Sequence, residues 1–116
     1  MTALANPITS LSARLPLLGG NYQLLFEEIV LIEGQGNYTV FHCHRHGRPI
    51  LTSKSLSFYR DKLPAQLIRI HKSYFVNLLF VKAFDGESVY LTDGKRIPVS
   101  RRRRRDVEQI VFSAIQ

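Results

Sequence analysis

A chain of 116 residues with 45% hydrophobic content has room for one domain and enough apolar material to bury a core without staples. Its single cysteine, Cys43, excludes an internal disulfide framework and a cysteine-based zinc finger, which suits a reducing cytoplasm. The formal net charge is +7 and Arg101 to Arg105 carry most of it, so the basic character is local and points to a directed anionic partner.

No apolar run approaches the ~20 residues that span a bilayer, so no membrane partner is expected. The opening MTALANPITSLSARL lacks the basic start and apolar block of a secretory signal. Residues 1–12 read as a flexible leader and residues 13–116 as the domain. Leu15–Leu18 and Tyr22–Phe26 flank Gly19-Gly20, a dipeptide suited to a hairpin because glycine tolerates positive φ. Glu27-Glu28 interrupts, Ile29–Glu33 resumes as a buried strand, and Gly34-Gln35-Gly36-Asn37 reads as a loop. Tyr38–His44 is the next strand, turning through His46-Gly47-Arg48-Pro49 into Ile50–Thr52.

In SKSLSFYRDKLP, Ser53 or Ser55 caps a short helix whose Leu56, Tyr59 and Leu63 share a face, and Pro64 marks its end. Leu67–Val76 reads as one long β segment, with Ile68 and Ile70 alternating against Arg69 and His71. Phe80–Phe84, Ser88–Thr92 and Lys95–Val99 are separated by Asp85-Gly86 and Asp93-Gly94, the pattern of a β-meander. Val107, Ile110, Val111, Ala114 and Ile115 then recur at helical spacing, an amphipathic C-terminal helix. The fold class is mostly β, with one short helix and a C-terminal helix.

Ser100 stands where an N-cap would, which puts the arginines on the first turns of that helix. Cations there oppose the helix dipole by roughly 0.3–1 kcal/mol each, and the five also repel one another. A helix start combined with arginines is a natural phosphate site; the alternative is a solvated basic face. Helical phase makes the five unequal. Arg103 and Arg104 precede Val107 by one turn and lean towards the core, Arg102 and Arg105 point outward, and Arg101 opens the helix and is freest to reach away.

His42, His44 and His46 alternate on a β run, a spacing that permits chelation, but no carboxylate or thiolate joins them because Cys43 points the other way. No metal site is expected there, with that trio as the weak alternative. His71 beside Ser73 does not make a nucleophile–base pair, and Gly34-Gln35-Gly36 lacks the rest of a dinucleotide loop. The chain reads as a non-enzyme without cofactors.

The segments IVLIEGQGNYTVFH, SKSLSFYRDKLP, LIRIHKSYFVN and VYLTDGKRIPVSRRRRRDV, in this order and spacing, resemble the LytTR DNA-binding domain of bacterial response and transcription regulators. The resemblance covers roughly Leu15 to Ile115, and its most specific parts are IHKSYFVN and IPVSRRR. It implies small antiparallel sheets with short helices, and sequence-specific binding of double-stranded DNA by loops that enter successive major grooves of paired repeats. Loops suffice because an arginine or lysine at a tip matches guanine acceptors and an amide matches adenine.

Carried over by position, the resemblance makes Asn37, Tyr38, Thr39, Lys72 and Arg101 candidate base contacts. Lys54, Ser73, Arg102, Arg104 and Arg105 are candidate phosphate contacts, and His71 and Asn77 are structural positions that hold the strand and turn presenting Lys72. The family favours arginine where this chain has Lys72; an ammonium is a point charge where a guanidinium is a planar fork. Implied partners are double-stranded DNA, a second protomer on an adjacent repeat and an upstream signalling domain or partner protein, in the cytoplasm. The family usually carries a receiver or membrane segment ahead of this domain, for which the short leader leaves no room, so a stand-alone protein or an excised C-terminal module is expected. The rival reading is a non-specific or RNA-binding basic β module, with Tyr38, Tyr74 and Phe75 as stacking surfaces.

Overall fold

The computed structural model describes residues 14–17, 22–44 and 48–115. The expected leader, the Gly19-Gly20 turn and His46 lie outside them. Strands β1 (Arg14–Leu17) and β2 (Tyr22–Leu25) pair antiparallel, and Glu27-Glu28 stands in a 3-10 turn, Phe26–Glu28. Next come β3 (Ile29–Gln35), β4 (Tyr38–Cys43), β5 (Ile50–Thr52), helix α1 (Leu56–Arg60), β6 (Leu67–His71) and β7 (Tyr74–Asn77). These five strands form one antiparallel sheet in the order β5-β4-β3-β7-β6. The meander follows as β8 (Val81–Phe84), β9 (Ser88–Leu91) and β10 (Arg96–Pro98), with Gly86 and Gly94 at the turns, and the chain continues into helix α2 (Arg104–Ile115). Among the described residues, no helix is long and apolar enough to cross a membrane.

The large sheet separates two apolar clusters. Ile29, Ile32, Phe41, Leu67 and Phe75 pack with Leu24 and Phe26 and with Leu56 and Tyr59 of α1. Val30, Leu31, Ile68, Ile70 and Val76 pack on the opposite side with Val81, Val89, Leu91 and Ile97 of the meander and Val107 and Val111 of α2. Four buried residues in a row, Ile29 to Ile32, exceed what alternation allows. A register shift between Ile29 and Leu31 accommodates them, sending both Val30 and Leu31 to the meander side.

Three expectations need correction. The loop at residues 34–37 is shorter, because Gly34 and Gln35 stay in β3 and pair with Thr39 and Tyr38. Gly34 serves packing: a Cβ there would meet the Leu56 side chain at 3.1 Å, so its absence lets α1 close onto the sheet. The segment Leu67–Val76 is a hairpin, with Lys72-Ser73 at its tip and His71 opposite Tyr74. On α2, Val107 and Val111 are buried but Ile110 and Ala114 are exposed, so the packed stripe is narrower than the apolar pattern.

Candidate nucleic-acid interface

The β3–β4 turn forms the first candidate contact. Gly36 takes φ +63, a conformation that favours glycine and closes a two-residue turn between Gln35 and Tyr38. Asn37 at its tip is exposed, and Tyr38 is 52% exposed. Thr39 does not join them: it is fully buried, and its Oγ1 donates to the Lys54 carbonyl at 2.7 Å. Its own carbonyl accepts from Thr52 Oγ1 at 3.3 Å. A base contact by Thr39 is thus corrected to an internal role, fastening exposed Lys54 to the root of this turn.

The β6–β7 tip has no glycine or proline, and side chains shape it. His71 Nδ1 accepts from the Ser73 N–H at 3.1 Å, so the neutral ring carries its proton on Nε2. The Ser73 carbonyl accepts from the Gly34 N–H at 2.8 Å, which ties the tip to β3. Arg69 spans the turn from beneath, its Nε donating to the His71 carbonyl at 3.2 Å and its Nη2 to the Lys72 carbonyl at 2.5 Å. The same guanidinium lies over the Phe75 ring, 5.5 Å from its centroid. Burial, then the nearby charges of Arg103 and Arg60, lower its pKa. Lys72 is left exposed at the apex.

The register shift between Arg69 and His71 turns the Ile70 carbonyl away from β7, and it accepts from the Ser100 N–H at 2.9 Å. This bond docks the start of the arginine run beside the second tip. Ser100 is extended (φ −64, ψ 148), its carbonyl accepts from the Arg103 N–H at 2.9 Å, and its hydroxyl makes no cap bond. Arg101–Arg103 form a 3-10 turn before α2 begins. His71, Lys72, Ser100, Arg101, Arg102 and Arg103 line one open groove of about 470 Å³.

Arg101, Arg102 and Arg105 are exposed, whereas Arg103 and Arg104 are half-buried. Arg104 Nε donates back to the Val99 carbonyl at 3.3 Å, which leaves less of its fork for an outside anion. Among the described residues, no carboxylate comes within 4.0 Å of any of the five. The groove is therefore strongly electropositive, suited to a polyanion.

Asn77 is fully buried, with Nδ2 donating to the Phe26 carbonyl at 3.0 Å and the Ile29 carbonyl at 2.8 Å, and Oδ1 accepting from the Leu79 N–H at 3.0 Å. It closes the end of β7 onto the start of β3. The sequence reading missed Arg69, Gly34 and Arg103 as parts of the site. Arg69 was visible only as the polar member of an alternating strand; nothing local signals that it grips carbonyls two and three residues ahead.

The histidine face gains a carboxylate that the sequence reading did not foresee: Glu33 Oε1 lies 3.1 Å from His42 Nε2. His44 instead packs on the Phe80 ring at 5.3 Å, and burial, with Glu28 nearby, pushes the Cys43 thiol up to about 11. Among the described residues, no three His, Cys, Asp or Glu side chains form a metal-holding group. The stacking surfaces proposed for RNA are also reduced, since Phe75 is buried and Tyr74 is half-buried against the His71 ring at 5.1 Å.

A family profile described as the LytTr DNA-binding domain matches residues 19–111. Among solved structures, the LytTr DNA-binding domain of a methyl-accepting/DNA response regulator from Bacillus cereus is similar in fold, with a TM-score of 0.68 at 20% identity over 85% of this chain and 96% of that one. No curated protein sequence matches the chain.

Proposed function

The chain belongs to the LytTr DNA-binding domain family, and we propose that it reads double-stranded DNA sequence-specifically as part of a cytoplasmic transcription regulator. In this reading the Gly36-Asn37 turn and the Arg101 edge enter successive major grooves, with Lys72 between them. The observation that carries it is the Ser100–Ile70 backbone bond, which sets Arg101 beside Lys72 on the wall of an electropositive groove.

Each residue has a distinct task. Arg101 offers a fork to guanine O6 and N7, Lys72 a single ammonium, and Asn37 and Tyr38 an amide and a hydroxyl. Lys54, Arg102 and Arg105 take phosphates, which set affinity and register without carrying sequence information. Ser73 assists from the second tip, and Arg104 contributes mainly charge. Two protomers bind side by side on paired repeats, with the signal arriving from an attached domain or partner protein.

Selection of bound duplexes from a random library tests this. The expected product is a paired motif with half-sites about one helical turn, roughly 10–10.5 bp, or a multiple of it apart. A pool with no enriched sequence would leave only the non-specific basic module.

A further inference from the structure

Phe58 of helix α1 gathers two lysines that flank the helix, Lys54, named above as a phosphate contact, and Lys62, which has no part in the reading above. Phe58 is 44% exposed and meets Tyr59 edge-on at 5.1 Å. Two ammonium groups lie over its ring, Lys62 Nζ at 4.4 Å and Lys54 Nζ at 5.1 Å from the centroid. Among the described residues, neither lysine has a carboxylate within 4.0 Å. The ring faces are thus the contacts that localise two otherwise free cations.

The location of α1 gives the cluster its direction. At one end, the Lys54 carbonyl accepts from Thr39, the second residue after the Gly36-Asn37 turn. At the other end, Arg60 lies close enough to Arg69 to perturb it, and Arg69 braces the Lys72 tip. The helix therefore lies between the roots of the first two tips, and the exposed Lys54 and Lys62 on either side of it extend their positive field.

We propose that Phe58 is a positioning residue that holds Lys54 and Lys62 as a paired clamp on DNA phosphates flanking the base-reading tips; this rests on the DNA-binding role above. A lysine side chain loses much rotamer freedom when it binds, and prior docking on a ring reduces that loss. An ammonium over a ring keeps N–H groups turned to solvent, where a phosphate oxygen accepts them. A compact point charge suits phosphate better than it suits a base edge. The clamp therefore adds affinity without sequence preference.

The test is the salt dependence of binding of the full chain to a short duplex of scrambled sequence, followed by fluorescence anisotropy. Phe58→Leu keeps apolar bulk but removes the aromatic face. It is expected to weaken binding about three- to tenfold near physiological salt and to flatten the log K against log salt slope by about one to two phosphate contacts, each ~0.9. Phe58→Trp, a better cation partner, is expected to retain both values. Lys54→Gln with Lys62→Gln is expected to flatten the slope, and adding Phe58→Leu to that pair should change nothing more. An unchanged slope in Phe58→Leu, or in the lysine pair, overturns the clamp, as does further flattening when all three changes are combined. Both lysines are exposed, so the pair decides the matter even if Phe58→Leu fails to fold. A wild-type chain that shows no salt-dependent duplex binding would overturn the DNA-binding reading itself, whereas wild-type binding with unchanged variants removes only the clamp.

Discussion

The two hairpin tips of the candidate interface are built in opposite ways. The first relies on backbone freedom: Gly36 at φ +63 closes the turn, and the side chains that would meet DNA, Asn37 and Tyr38, stand exposed. The second has no permissive residue and is shaped by its neighbours, with Arg69 gripping two carbonyls, His71 holding the Ser73 N–H, and Gly34 holding the Ser73 carbonyl. Such bracing lowers the ordering cost of binding. That matters most at Lys72, an ammonium whose point charge lacks the planar fork of a guanidinium. The first tip is set by the backbone of one glycine; the second holds Lys72 in place through four hydrogen bonds among its neighbours.

Arg69→Ala attacks this contrast most directly. Two hydrogen bonds from a charged group are lost, each contributing about 1.5–3 kcal/mol, and the expected result is about 2 kcal/mol less discrimination between selected and scrambled duplexes. Arg69→Lys should not rescue it, because one ammonium cannot reproduce the two-pronged grip. Anisotropy titrations on the two duplexes decide it, and equal weakening on both would mean that the tip is not read. Of similar size, Arg101→Ala should reduce discrimination by roughly 1–3 kcal/mol, whereas Arg105→Ala should weaken both duplexes alike.

The same contrast explains what was legible from sequence. The meander could be read because Asp85-Gly86 and Asp93-Gly94 put turn chemistry in the turn itself, and Gly86 and Gly94 do take positive φ. The Lys72-Ser73 turn could not, because its determinants are Arg69 and His71 within the strand and Gly34 on another strand. Gly34 reads as part of a loop for a related reason: it is glycine to admit Leu56, not to turn the chain. The resemblance makes Thr39 a base reader, yet strand alternation turns it inward to the Lys54 carbonyl. Ser100 beside Arg101 was visible, but the Ile70 carbonyl that docks it depends on a register shift with no local sequence mark.

Two smaller effects sharpen the comparison. Gly36→Ala forces a side chain into a left-handed conformation and should cost roughly 1–2 kcal/mol of stability in urea unfolding, with its binding defect confined to the bases read by the first tip. The meander turn provides a control away from both tips. The Asp85 carboxylate accepts from the Ser88 and Glu87 N–H groups and the Tyr90 hydroxyl, which hold it at about 2, below its ordinary 3.8. A depressed carboxyl stabilises the fold above its unfolded pKa and loses that contribution as pH falls through its folded value. The melting temperature of Asp85→Asn should therefore vary less between pH 4 and 2 than that of the wild type. Its duplex binding at neutral pH should be unchanged.

In the proposed function, the first tip and the Arg101 edge read separate major grooves. Interference by 7-deazapurine substitution at the guanines and adenines of a selected duplex tests it most directly, because purine N7 lies only in the major groove. Two clusters of interference about one helical turn apart are expected for each protomer. Replacing Asn37 and Tyr38 by alanine should erase one cluster, and Arg101→Ala the other. A single cluster, or binding indifferent to the loss of N7, would contradict two-groove reading.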